Sequence, residues 1–216
     1  DFDSFAIAVG AGQTAGIAGS TTVSVITNTT SAWIGTNAII NGDNAGASPT
    51  QSVRISATDH TRNTGRGGQI ALGGTAGIGA GADVQVITKT TKAWIAPGAQ
   101  VPANGDVPVD ATSSEQLISI SAGGVVGGTV GIAVNATVSV LDVTTTASVG
   151  EVCGAATASA ALCPDSGSTV FAGGSVRVAA ADQLELDLIA GSLAIGGTVG
   201  GAAAAAVPVI VKHTTA

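Results

Sequence analysis

The densest set of acid groups in this 216-residue chain is "DQLELDL", which holds Asp182, Glu185 and Asp187. Two carboxylates flanking a glycosidic bond can cleave it, one as acid and the other as nucleophile or base. Strand alternation puts Glu185 and Asp187 on one face. It also puts Leu184, Leu186 and Leu188 on the other, which is the pattern of a half-solvated strand. That structural reading is preferred, and the chain is expected not to be an enzyme, with polysaccharide degradation as a distant alternative. His60 and His213 stand alone, without a second His or Cys at zinc-ligand spacing. Asp43, Asn44, Asp106 and Asp110 sit in Gly- or Pro-containing turns and offer oxygens to a calcium ion, but the EF-hand loop pattern is missing. There is no nucleophile elbow, and the Gly-rich strings lack the lysine of a P-loop. No cofactor and no catalytic residue are expected.

Three other groupings carry chemistry of a different kind. Cys153 and Cys163 lie ten positions apart with Pro164 beside the second, a spacing suited to a local disulfide in an exported chain. Thr27, Thr29 and Ser31, Thr88 and Thr90, and Thr144 and Thr146 share one strand parity in related segments. An outward ladder of such hydroxyls would suit ice or a crystalline polysaccharide, although Lys92 and Asp142 interrupt it. Trp33 and Trp94, the only tryptophans, stand in "AWIG" and "AWIA". Their apolar neighbours favour packing in the interior over exposed sugar-stacking platforms.

Composition limits the elements that position these groups. Glycine accounts for 32 residues, tyrosine and methionine are absent and aromatics make up 2%, so a core of large side chains is difficult to build. Collagen is excluded because glycine does not recur at every third residue. A mean hydropathy of +0.49 and runs of Val, Ile and Thr argue against disorder. Seven basic against 14 acidic residues give a formal charge of -7, which disfavours nucleic acid and anionic bilayers as partners. The uncharged stretch 188–211 is long enough for a membrane helix, but its internal relatives carry Asp83, Gln85 and Lys89, so no membrane insertion is expected.

Internal repetition organises the chain. "GIAGSTTVSVITNTTSAWIG" (16–35) and "GIGAGADVQVITKTTKAWIA" (77–96) are identical at more than half of their positions, at an offset of 61. "GIAVNATVSVLDVTTTASVG" (131–150) is a third copy, and "GGAAAAAVPVIVKHTTA" (200–216) a degenerate fourth. The offsets to these copies are 54 and 69. A short signature precedes each copy: "GQTAG", "GGTAG", "GGTVG" and "GGTVG" place Thr14, Thr75, Thr129 and Thr198 just ahead of Gly16, Gly77, Gly131 and Gly200. "VRISA" (53–57), "ISISA" (118–122) and "VRVAA" (176–180) form another related set. Their distances to the next signature glycine are 24, 13 and 24, which reads as a third unit shortened by about eleven positions. Polar connectors are expected at 41–52, 97–116 and the cysteine loop.

Val-Ser-Val alternation and β-branched enrichment predict strands from Val23, Val84 and Val138, with a change of inward parity near the Thr pair. The expected fold is all-β: a parallel β-helix, or β-solenoid, of degenerate repeats of about 54–69 residues, each giving roughly three coils. Residues 1–216 are expected to form one repetitive segment of a longer array, with signatures ending near 16, 77, 131 and 200. The Gly-rich strings, "SVITNTTSAWIG" and "VRISATDHT" resemble repeat regions of large bacterial filamentous adhesins and leukotoxin-like autotransporter passengers. The resemblance implies display on the bacterial surface or secretion, and a stalk or filament role in adhesion. Partners are then neighbouring repeats, further copies of the chain, or host-surface and extracellular glycans. A carbohydrate- or ice-binding module is the alternative.

Overall fold

The computed structural model describes residues 1–150 and 167–216; Cys153 and Cys163, with the disulfide expected between them, lie outside the described residues. Ten strands follow one another: β1 (Phe2–Gly12), β2 (Ala15–Ile34), β3 (Ile55–Gly73), β4 (Ala76–Ile95), β5 (Gln100–Ala103), β6 (Val107–Gly127), β7 (Val130–Val149), β8 (Thr169–Ala172), β9 (Val176–Gly196) and β10 (Val199–Thr215). The described residues are all-β. One four-stranded sheet has the order β1-β3-β6-β9, a second has β2-β4-β7-β10, and β5 pairs with β8. Every pairing is parallel.

The register follows the repeat offsets. Val23 pairs with Val84, Val84 with Val138, and Val207 with Val138, so the rows advance in the same steps of 61, 54 and 69. The first sheet keeps these steps, with Phe2 opposite Asn63, Ile55 opposite Val109 and Val107 opposite Val176. Each step lays down one strand per large sheet, which corrects the expectation of three coils per unit. Twenty residues extend about 65 Å along a strand and adjacent strands lie about 5 Å apart. Each layer is therefore wide and thin.

The register also corrects the internal alignment. Ile55 and Ala57 pair with Val109 and Ala111, whereas Ile118 and Ala122 pair with Thr64 and Gly68. The counterpart of "VRISA" is thus "VPVDA" (107–111), and Val107 precedes Gly131 by the same interval as Val53 precedes Gly77. No deletion separates the units at this point. Residues 107–116, expected as connector, begin β6, and the "SATDHTRNTGRGG" stretch lies within β3. Polar residues disguised both strands because their inward positions carry Asp59, Thr61, Ser113 and Glu115 in place of aliphatic side chains.

The signature glycines and threonines mark sharp arches that carry the chain from one large sheet to the other. Thr75 N–H donates to the Thr14 carbonyl at 2.9 Å, Thr129 to Thr75 at 2.8 Å and Thr198 to Thr129 at 2.9 Å, which stacks the arches. The two sheets nearly touch here. A Cβ on Gly73 would lie 1.7 Å from the Ala76 carbonyl oxygen, and one on Gly77 would lie 2.6 Å from that of Val126. Gly16 and Gly131 face the Leu72 and Ile195 carbonyls in the same way, while Gly200, in the last layer, has 3.2 Å to Ala194.

Away from the arches the interior is banded. Ala18, Ala71, Val125 and Ala133 fill the narrow end. A central group contains Ile26, Ile87, Leu117, Leu141 and Val143, against which Leu184 and Leu186 pack. The far end holds Ile34, Ile55, Ile95, Val101, Val107 and Val109. Polar bands separate these three groups. Inward parity is continuous along β4 from Gly77 to Ile95, so the expected switch near the Thr pair does not occur.

Candidate binding face and buried ionic column

Strand alternation assigns the expected site residues to opposite faces. The outward face of β2, β4, β7 and β10 shows rows that run across the layers. Two are valine rows, Val23-Val84-Val138-Val207 and Val25-Val86-Val140-Val209. Next come Thr27-Thr88-Asp142, Thr29-Thr90-Thr144 and Ser31-Lys92-Thr146. All six expected threonines therefore lie on one outward face, in adjacent rows.

Trp33 and Trp94 close this face. Their rings stack with centroids 5.2 Å apart and planes 8° apart, and Trp33 is 59% exposed. The expectation that they pack inside is corrected. "AWI" is an in-out-in triplet: Ala93 and Ile95 are fully buried, and alternation turns the ring between them outward. Because the rings stack on each other, one face of each is already covered. Trp33→Ala is expected to lower stability by about 1 kcal/mol, in the range of an exposed aromatic pair, with no change in strand content by circular dichroism.

The inward face holds chemistry that sequence reasoning missed. Lys89 of β4 is fully buried and its Nζ lies 2.5 Å from Asp59 Oδ1 of β3 and 2.8 Å from Glu115 Oε1 of β6. Lys212 of β10 lies 3.0 Å from Glu115 Oε2 and contacts Asp182 of β9. The charges alternate along the stacking axis as Asp59, Lys89, Glu115, Lys212 and Asp182. Neutral donors complete the column: Thr30 and Asn28 donate to Asp59 Oδ2, Thr61 to Oδ1 at 3.1 Å, and Ser113 to Glu115 Oε1 at 2.6 Å. Parity with Ile87 was the available signal for Lys89, and parity with Leu184 for Asp182.

Burial pushes the Asp59 carboxyl up, but hydrogen bonding to Lys89 and Thr30 and the charge of Lys89 outweigh it and hold the group below the ordinary carboxylate value. Burial acts the same way on Glu115, where Lys89, Ser113 and Lys212 together bring it down. Asp182 is pushed up, first by burial and then by Glu115, with which it shares Lys212. While ion-paired, Asp59 and Glu115 thus support folding above the ordinary carboxylate range, and this support is lost as pH falls through their depressed values. Asp182 has the opposite sign and favours the fold most at pH values below its ordinary value. The Glu115 contribution is expected to lower the urea midpoint between pH 7 and about pH 3, and Glu115→Gln should flatten that part of the decline.

The remaining candidates are dispersed. Glu185 and Asp187 face outward on β9, and Leu184 and Leu186 face inward, while Asp182 belongs to the ionic column. Glu185 accepts a hydrogen bond from Gln116 at 3.0 Å. His60 meets Ser114 at 2.7 Å on the outside of β3, and His213 lies on the outside of β10. Asp43 accepts from the Ala45 N–H at 3.0 Å, Asp106 from the Ser175 N–H at 2.8 Å, and Asp110 pairs with Arg54 and Arg177. The four turn residues considered for calcium therefore do not converge. Among the described residues no group of three or more His, Cys, Asp and Glu stands together as metal ligands. Residues 188–211 form the end of β9, an arch and most of β10, and no helix among the described residues is long and apolar enough to cross a membrane.

No protein-family model, curated protein or solved structure matches this chain.

Proposed function

We propose that this chain is a β-solenoid segment that serves as a stalk or filament of an extracellular bacterial adhesin. The carrying observation is the agreement between the parallel strand register and the repeat offsets of 61, 54 and 69. Such stacking lets one unit bury the open strand edges of the next, so length grows by adding layers. The β1–β2 and β9–β10 layers lie at opposite ends of the stack and provide the surfaces on which neighbouring repeats or further copies of the chain would add. Large parallel sheets with small inward residues give a stiff support without requiring a ligand pocket. Surface display and adhesion rest on the resemblance.

Removal of one full step tests the modular part of this reading. Deletion of the segment 15–75 takes out one whole repeat and should leave β1 to pair with β6 in the register it now has with β3. The shortened chain is expected to unfold cooperatively in urea with undiminished strand content per residue. A molten or aggregated product would contradict modular stacking. Electron microscopy of the parent protein tests the stalk: a continuous rod is expected, and a compact particle would rule it out.

A second reading, a glycan- or ice-binding face, is favoured by the adjacent outward rows of Thr27, Thr29, Thr88, Thr90, Thr144 and Thr146 beside exposed Trp33. A glycan array together with an ice-recrystallisation assay separates it from the scaffold reading. Activity lost in Thr29→Lys and Thr90→Lys would support the binding face.

A further inference from the structure

The arrangement around Lys89 is suited to more than an ion pair. Its amine lies between the carboxyls of Asp59 and Glu115, reached from different strands of the opposite sheet. We infer that Lys89 and Asp59 form an intramolecular isopeptide bond, with Glu115 as the proton-transferring catalytic residue.

Four features carry this inference. Lys89 and Asp59 side chains are 0% and 6% exposed, so bulk water is kept from the pair and a proton can pass directly between ammonium and carboxylate to give the minor neutral form from which the amide is made. Two sheets hold Lys89 Nζ 2.5 Å from Asp59 Oδ1, which brings the amine beside the carboxyl group it would attack. Asp59 Oδ2 accepts hydrogen bonds from Asn28 Nδ2 and Thr30 Oγ1, which places two donors where negative charge develops when the amine adds to the carboxyl carbon. Glu115 Oε1 lies 2.8 Å from the attacking nitrogen, within reach for general base and then general acid work.

The steps balance without an oxidant or any other co-reactant. Lys89 gives one proton to Asp59, and its free amine adds to the Asp59 carboxyl carbon. Glu115 removes a proton from the nitrogen of the adduct and passes it to the departing Oδ1 hydroxyl. Water leaves and the amide remains, so an ammonium and a carboxylate become an amide and one water. Lys212 and Asp182 do not meet the same conditions. The Lys212 side chain is 22% exposed, and among the described residues the hydroxyl donor to Asp182, Thr145 Oγ1, is 3.5 Å from Oδ2.

The bond would covalently join β3 to β4 across the sheets, and in the scaffold role it would resist shear between them. Its chemistry depends only on the local geometry, so failure of this inference leaves the scaffold reading standing. Intact mass spectrometry of the purified, reduced and denatured chain is the test. The expected mass is one water below that of the sequence, with peptides from β3 and β4 recovered as one branched species linked through Asp59 and Lys89. Lys89→Arg is expected to show its full mass. Glu115→Gln is also expected at full mass, with a native-like circular dichroism spectrum showing that the loss is chemical. Should that variant not fold, Asp59→Asn serves in its place, since attack on the amide would release ammonia and leave that chain one ammonia below its own sequence mass. Full sequence mass in the wild-type chain, or a link found between Lys212 and Asp182 in its place, would overturn the inference.

Discussion

Replacing Lys89 with methionine is expected to cost about 3–5 kcal/mol at neutral pH, because the Asp59 and Glu115 carboxylates are then both left buried without the nitrogen, ionic or amide-bonded, that stands between them. Methionine fills a similar volume, so the loss is electrostatic and not that of a cavity. Asp59 would retain Asn28, Thr30 and Thr61, and Glu115 would retain Ser113 and Lys212. These contacts satisfy lone pairs but do not neutralise both charges. The double variant Lys89→Met, Asp59→Asn should recover much of the loss, since the amide retains hydrogen-bonding capacity without the charge. Urea unfolding of the two single variants, the double variant and the parent forms a complete cycle. Near-additive effects of the two substitutions would show that Lys89 and Asp59 do not act as a pair.

The second large effect is expected at the arches. Gly127→Val should cost about 3 kcal/mol or more, in the upper range of overpacking. A Cβ on Gly127 would lie 1.7 Å from the Val130 carbonyl oxygen and 2.8 Å from the Gly77 nitrogen. Both obstacles are backbone, so no side-chain rotation relieves them, and opening the arch would pull apart the hydrogen bonds that stack Thr75, Thr129 and Thr198. Gly124→Val in the same strand is the control, because its Cβ position has open space. The urea midpoint should fall sharply for Gly127→Val and change little for Gly124→Val. Equal shifts would mean that strand propensity, and not contact between the sheets, explains the glycines.

The copies beginning at Gly16, Gly77, Gly131 and Gly200 were legible because every strand of the second sheet keeps its Gly arch and its Val or Ile alternation, and their offsets became its register. The first sheet was only partly legible. At the start of β3, Asp59 and Thr61 occupy inward positions, and Ser113 and Glu115 do so in β6, which makes buried strands read as polar connectors. That substitution of charge for aliphatic volume also hid the ionic column, since a lysine in a Thr-rich run ordinarily reads as a solvated residue. The threonine ladder was found by parity alone, whereas Trp33 and Trp94 were misplaced because ring hydrophobicity was given more weight than the in-out-in alternation of "AWI". Coil number required knowing that each repeat is spent on two long strands and a connector, which composition does not encode.

An experimentally phased backbone trace of the chain is the most direct test of parallel stacking by one-repeat steps. Val23, Val84, Val138 and Val207 should form a single row across adjacent parallel strands, with Val107–Ala111 beside Val176–Ala180 and Trp33 stacked on Trp94 outside the sheet. A trace that places those valines in separate environments, or runs several coils between Val23 and Val84, would contradict the account.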